Sequence, residues 1–234
     1  NWDQINYPDN QAILGFNIYR NNEYIVSTTY EEYIFHQFND GEFCVSAFDQ
    51  YNNESATNCS IATDQQEFCW LLNDGLNLIS YPILPIDITV NNIFSSISDY
   101  IIGVISEGDA AYLLSNGIWV GSLTSIENHS GYCINVNLGN PFAIQEYCLT
   151  GYPVIQNLEY ELSEGANLIS YLGEDNDLIF NALNQYNDNF TFIIGAGEAA
   201  QFIDGSWFGS LENLKKGSGY WVVVNDDFIF QWTE

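Results

Sequence analysis

The sequence predicts a mainly β protein in three parts. Residues 1–63 read as all strand, and two tandem copies of a small β-rich domain, each with one short helix, follow at 67–149 and 153–234. Three observations carry this reading. First, four blocks recur in order: Asn77-Leu78-Ile79-Ser80-Tyr81, Gly108-Asp109-Ala110-Ala111, Trp119-Val120-Gly121-Ser122-Leu123 and Ser130-Gly131-Tyr132 are answered by Asn167-Leu168-Ile169-Ser170-Tyr171, Gly197-Glu198-Ala199-Ala200, Trp207-Phe208-Gly209-Ser210-Leu211 and Ser218-Gly219-Tyr220. The offset is 90 residues between Gly75 and Gly165, 89 between Gly108 and Gly197, and 88 between Trp119 and Trp207, so the second copy has lost two residues, both expected in loops. Second, β-branched and aromatic runs alternate with Gly, Asn and Asp turn residues. Third, 47% of the 234 residues are hydrophobic and 16% aromatic, which is enough for packed cores and too apolar for a disordered chain.

In chain order, Ile13 to Ile18, Tyr24 to Val26 and Phe43 to Phe48 are the strands of the first part, and Thr63-Asp64-Gln65-Gln66 is a polar linker. Asn77 to Tyr81 opens the first repeat as a strand. Val90, Ile93, Phe94 and Ile97 then fall at i, i+3, i+4 and i+7, one face of a helix; Ile179, Ala182, Leu183 and Tyr186 repeat the spacing, with Asp177 as a candidate cap. Tyr100 to Ile105 and Phe190 to Ile194 are apolar strands, and Ala110 to Leu114 and Ala199 to Ile203 return from a glycine turn. Asn116-Gly117 and Asp204-Gly205 are turn dipeptides. Tyr132 to Val136 and Tyr220 to Val224 follow, and Phe142 to Tyr147 and Phe228 to Trp232 close the two copies.

The first part resembles a fibronectin type III module of a secreted bacterial protein. The residues that carry the resemblance are Trp2, Leu14-Gly15-Phe16-Asn17-Ile18-Tyr19-Arg20, Gly41-Glu42-Phe43-Cys44-Val45-Ser46-Ala47-Phe48-Asp49 and Asn53-Glu54-Ser55-Ala56. The resemblance implies a β-sandwich with Trp2 in the core, the Leu14 to Arg20 run as third strand and the two cysteine-bearing runs as the last hairpin. Phe43 stands where the family usually has tyrosine, and the family's first strand and most of its second have no counterpart. With no Met and Asn1 at the start, the chain reads as a processed or excised piece. An incomplete sandwich exposes unpaired backbone, so an upstream segment or a strand donated by another chain is expected against Trp2 and Ile18. The two later copies are similar to repeats of large secreted surface proteins of marine bacteria, which implies an extracellular, multi-domain, adhesive context and no catalytic residues.

Charge is the extreme feature: 31 Asp and Glu against 3 Lys and Arg give a formal net charge of −28. Such a chain is repelled by nucleic acid and by anionic membranes, and no apolar run is long enough to span a bilayer. A saline exterior suits it. Cysteines point the same way. Cys44 and Cys59 flank the turn at Tyr51-Asn52-Asn53-Glu54 symmetrically, and Cys133 and Cys148 bracket Leu138-Gly139-Asn140-Pro141, so each pair is expected to bridge a hairpin. Cys69 is the odd cysteine and competes for either partner in the first repeat.

Candidate sites are few. The histidines, His36 and His129, are not shared by the copies, so a histidine-based active site is not expected. Gly195-Ala196-Gly197-Glu198-Ala199-Ala200 matches a dinucleotide fingerprint in letters only, because a strand rather than a helix is expected after it. Trp119, Trp207, Tyr132 and Tyr220 recur in both copies and form either shared core or an aromatic platform for sugar rings. Asp175 and Asp177, and Asp226 and Asp227, are candidate calcium ligands in acidic loops, with a solvated surface as the default. Asn53, Asn58, Asn128 and Asn189 begin glycosylation sequons. The expected function is that of a non-catalytic extracellular structural or adhesive protein, partnered by copies of itself or by neighbouring domains of a longer chain. A carbohydrate-binding accessory region of a larger secreted enzyme, with glycans as partners, is the alternative.

Overall fold

The computed structural model describes residues 13–30, 41–62, 65–154 and 158–232. Trp2 and His36 lie outside them, as does Thr63-Asp64 of the expected linker. The chain divides into two compact units, Asn1–Gln65 and Gln66–Glu234, the second containing both repeats. It is mainly β, with several antiparallel sheets.

In the first unit β1 (Ile13–Arg20), β2 (Glu23–Thr28), β3 (Gly41–Asp49) and β4 (Asn58–Ala62) form an antiparallel sheet in the order β2-β1-β3-β4. Asn21 and Asn22, at φ 50° and 65°, supply the two left-handed residues that a tight hairpin between β1 and β2 requires. Phe16 and Ile18, two apart on β1, are buried on one face of the sheet, Phe16 opposite the buried Ala47 of β3. The turn after β3 is built by Asp49, whose carboxylate accepts from the Tyr51 and Asn53 amides and from Asn53 Nδ2.

The first repeat comprises β5 (Gln66–Asn73), β6 (Gly75–Ile79), β7 (Ile83–Leu84), α1 (Val90–Ile93), β8 (Ile101–Ile105), β9 (Ala110–Leu113), β10 (Trp119–Gly121), β11 (Tyr132–Val136) and β12 (Ile144–Pro153). The second comprises β13 (Tyr160–Leu162), β14 (Gly165–Ser170), β15 (Asp177–Leu178), α2 (Ile179–Leu183), β16 (Phe190–Ile194), β17 (Ala199–Ile203), β18 (Ser206–Gly209), β19 (Asn213–Leu214), β20 (Gly219–Val224) and β21 (Phe228–Phe230). Their topologies correspond. The five-stranded sheet β10-β9-β8-β11-β6 is matched by β18-β17-β16-β20-β14, and the pairing of β5 with β12 by that of β13 with β21. Each copy has its own core, one around Tyr81, Phe94, Tyr132 and Tyr147, the other around Tyr171, Phe190, Tyr220 and Phe230.

Several expectations are corrected here. The linker is shorter than expected, because Gln66 already begins β5. Its alternation of inward Trp70 and Leu72 with outward Leu71 was readable as a strand but had no repeat block to mark it. The last strand of the first copy starts at Ile144, leaving Phe142 90% exposed, and that of the second ends at Phe230. The helices are short: Ile97 and Tyr186 fall in 3-10 turns after them. Asp177 does not cap α2, since it lies in β15 and Leu178 holds the capping position; in the first copy Thr89 does cap, accepting from the Asn92 amide.

The expected disulfide Cys133–Cys148 does not form. Cys133 lies on β11 between Leu78 of β6 and Ile105 of β8, whereas β12 leaves that sheet and pairs with β5, putting Cys148 opposite Cys69. Cys69–Cys148 is therefore the bond and Cys133 is free. The Leu138 to Pro141 turn connects two sheets and makes no hairpin. Cys44–Cys59 forms as expected, between residues directly opposite on β3 and β4.

Candidate functional site

The residues shared by the two copies have first to be accounted for as architecture. In each copy the asparagine of Asn-Leu-Ile-Ser-Tyr is a staple: Asn77 accepts from the Asn73 amide and donates to its carbonyl, both at 2.8 Å, and Asn167 does the same to Ser163 at 2.9 and 2.8 Å. This closes the tight turn that sends the chain from one sheet into the other. The Trp-x-Gly-Ser-Leu block turns the chain past the adjacent hairpin. Gly121 and Gly209 sit at φ 143° and 154°, and a Cβ there would lie 2.0 and 2.1 Å from the carbonyls of Ala110 and Ala199. The following serines then accept from the Ala110 and Ala199 amides, and Leu123 and Leu211 donate back to the same residues' carbonyls. The tyrosine of Ser-Gly-Tyr accepts a backbone N–H from the loop before it, Glu127 for Tyr132 at 2.7 Å and Lys215 for Tyr220 at 2.9 Å.

The rest of these blocks docks one copy on the other. β6 and β14 are sheet edges, and each is covered by the Ser-Gly loop of the opposite copy. Ile79 bridges to Ser218 and Ile169 to Ser130. The Ser80 amide donates to Gly217 O at 2.8 Å and the Ser170 amide to His129 O at 3.1 Å, an exchange related by an approximate two-fold. A Cβ on Gly131 would meet Ile169 O at 2.8 Å and one on Gly219 would meet Ile79 O at 2.7 Å, so both glycines are required by the close approach of the two backbones. Ser80 Oγ donates across the seam to Ser218 O, Trp70 Nε1 to Gly217 O, and the Glu107 carboxylate accepts from the Leu168 amide. The ends of two edge strands, at Ile79 of β6 and Ile169 of β14, are thus paired internally.

The four aromatic candidates separate. Tyr132 and Tyr220 are 1% and 3% exposed and belong to the cores, so they form no platform. Trp119 and Trp207 are half-buried and packed against the cores by one side. Their surroundings differ. Trp207 lies 5.2 Å from Phe202, ring centre to ring centre, and its Nε1 donates to Asn187 Oδ1 at 2.7 Å; Asn187 is itself buried and donates to the Phe180 and Asn184 carbonyls. Trp119 lies 5.6 Å from Phe94, and no described residue accepts from its Nε1. It borders a pocket of about 460 Å³ with Leu113 and Leu114 as apolar surface, buried Phe94 and Ile101 at its base, and Asn91, Ser95, Ser98, Asp99 and Ser115 as polar rim.

No protein-family model, curated protein or solved structure matches the chain.

The candidate calcium loops hold their own backbone. Asp175 accepts from the Lys216 amide, Asp227 from the Glu164 amide, and Asp177 from the Tyr171 hydroxyl at 3.5 Å. With Asp226 these carboxylates form no cluster of three metal-ligating atoms; among the described residues such clusters fall only at the two disulfides, whose sulfurs are already bonded. His129 lies 3.0 Å from Glu127 on the surface, both about half exposed. Of the sequon asparagines, Asn53 and Asn58 are exposed and Asn128 and Asn189 half-buried. The Gly195 to Ala200 stretch is the turn between β16 and β17, so the dinucleotide reading fails on context as expected.

One polar group was missed by sequence reasoning. The Glu54 carboxylate gathers Asn17 Nδ2 at 2.9 Å and the Tyr19 and Ser46 hydroxyls. These donors hold Glu54 below the usual carboxylate range, Asn17 first, and Glu54 in turn raises Tyr19. Asn17, Tyr19 and Ser46 all face one side of adjacent strands, so alternation alone could have grouped them, but nothing in the sequence marked Glu54 as their acceptor. The cluster clamps the loop after β3 across β1.

Proposed function

We propose that this chain is a non-catalytic extracellular segment of a structural or adhesive assembly on a cell surface or in a filament. The observation that carries the proposal is the use to which the shared residues are put. Every block retained by both copies serves a turn, a core or the seam between copies. Two disulfides suit an oxidising exterior, and among the described residues no helix is long and apolar enough to cross a membrane. The pairing of β1 with β3, and of β3 with β4 through Cys44–Cys59, supports the fibronectin type III-like reading of the first part, since it joins the third strand to the last hairpin. On this reading the chain supplies acidic, mainly β units, and copies join through the first module by strand donation.

Light scattering and negative-stain microscopy over a range of concentrations in saline test it. Chains or larger assemblies, with cross-links mapping to the first module, are expected. A monomer at every concentration that also fails to attach to cells or to neighbouring segments would overturn the proposal.

A further inference from the structure

We infer that the pocket beside Trp119 is a binding site for a neutral pyranose sugar and that the second copy has lost the equivalent site. The strand register makes the two places comparable. Val136 pairs with Ile101 where Val224 pairs with Phe190, so Ser98 occupies the position held by Asn187 in the second copy. Asn187 reaches Trp207 and occupies its N–H; Ser98 is shorter, no described residue takes the Trp119 N–H, and the space stays open. Tyr81 Oη is the one fully buried side-chain polar atom without a partner among the described residues, so the Trp119 N–H is open to solvent rather than sealed in the core.

The lining defines the ligand. Trp119, Leu113 and Leu114 offer an apolar wall on which the C–H face of a sugar ring can lie, with buried Phe94 and Ile101 behind it. Asn91, Ser95, Ser98, Asp99 and Ser115 ring the mouth with hydroxyl, amide and carboxylate groups, and the indole N–H adds a donor at the wall itself. The volume of about 460 Å³ admits one or two sugar rings. A formal charge of −28 disfavours uronic, sialic or sulfated sugars, which leaves neutral ones. This inference is independent of the structural proposal above, since a polymerising segment needs no such pocket and a monomer could still bind a sugar.

The test is a titration of the full chain with methyl glycosides of glucose, galactose and N-acetylglucosamine and with their β-1,4-linked tetramers, followed by the indole N–H resonances in proton–nitrogen spectra. A saturable shift of the Trp119 indole is expected with at least one neutral sugar, with Trp207 unmoved. Ser98→Trp, at an exposed rim position, should weaken binding at least about tenfold by filling the mouth, and Trp119→Phe should weaken it by removing the donor, both with the spectral dispersion of the folded chain retained. No saturable shift up to about 20 mM of any sugar, unchanged binding in Ser98→Trp, or equal binding of an oligogalacturonate would each overturn the inference.

Discussion

Tyr81 and Tyr171 hold the same place in the two copies and are both fully buried, yet their hydroxyls differ. Tyr171 donates to Glu174 O at 3.0 Å, an approach that Gly173 permits because any Cβ there would sit 2.5 Å from the hydroxyl. Among the described residues the Tyr81 hydroxyl makes no hydrogen bond of good geometry, its neighbour Tyr147 donating instead to Ile93 O at 2.9 Å. An unpaired buried hydroxyl costs stability, whereas a paired one contributes about 1 kcal/mol. Tyr81→Phe should therefore be neutral or stabilising in urea unfolding, and Tyr171→Phe destabilising by about 1 kcal/mol. The same burial governs alkaline behaviour. Desolvation pushes Tyr160 up to about 12 from 10.0, and raises Tyr147 and Tyr171 further. The folded chain then keeps protons that the unfolded chain has released. Stability from these tyrosines is complete below pH 10.0 and falls as pH rises through about 12, so melting temperatures should drop across that window while tyrosinate absorbance appears together with unfolding. Tyrosinate titrating fully while the fold persists would contradict the burial of these rings.

At the scale of elements, the repeat made strands and turns legible without deciding sheet partners. The Tyr220 to Val224 strand, the glycine turns and the Cys44–Cys59 bridge were readable because each depends on local spacing. Cys69 was not assigned because β5 and β12 are 79 residues apart at their cysteines, and nothing local distinguishes a turn that closes a hairpin from one that changes sheets. Loop closure makes that bridge the stronger constraint. By chain entropy Cys69–Cys148 should contribute about 4 kcal/mol and Cys44–Cys59 about 3 kcal/mol. Paired Cys-to-Ser variants at 69 and 148 should accordingly lose more in denaturant midpoint than those at 44 and 59, provided Cys133 is also replaced to prevent exchange. The tryptophan block makes a sharper demand on its element. Gly209→Ala and Gly121→Ala each force a Cβ onto a carbonyl in a left-handed backbone, and each should cost about 3 kcal/mol in equilibrium unfolding. The pocket was harder to foresee: Trp119 could be named from the repeat, but the difference between Ser98 and Asn187 gains meaning only once their common register is known.

For the whole molecule, charge and topology act in opposite directions. The seam joins the two cores into one unit and pairs the ends of β6 and β14 across it, which favours one body over two loosely strung beads. A formal charge of −28 opposes compaction, because 31 Asp and Glu are set against 3 Lys and Arg. Several of those carboxylates are nonetheless engaged by backbone amides, as Asp49, Asp87 and Glu107 are, so they hold turns and edges while ionised. Screening should then release the repulsion and leave the short hydrogen bonds intact. At about 0.01 M salt the screening length is about 30 Å, comparable to a domain, and at about 1 M it is about 3 Å, near a hydrogen-bond distance. Melting temperature should rise steadily across that range of sodium chloride, by several degrees, with most of the gain below about 0.15 M where the screening length falls fastest. Sodium chloride, unlike sulfate, adds little through exclusion from apolar surface, so a flat profile would mean that the carboxylates do not repel one another in the folded chain and that the acidic surface is balanced by tightly held cations.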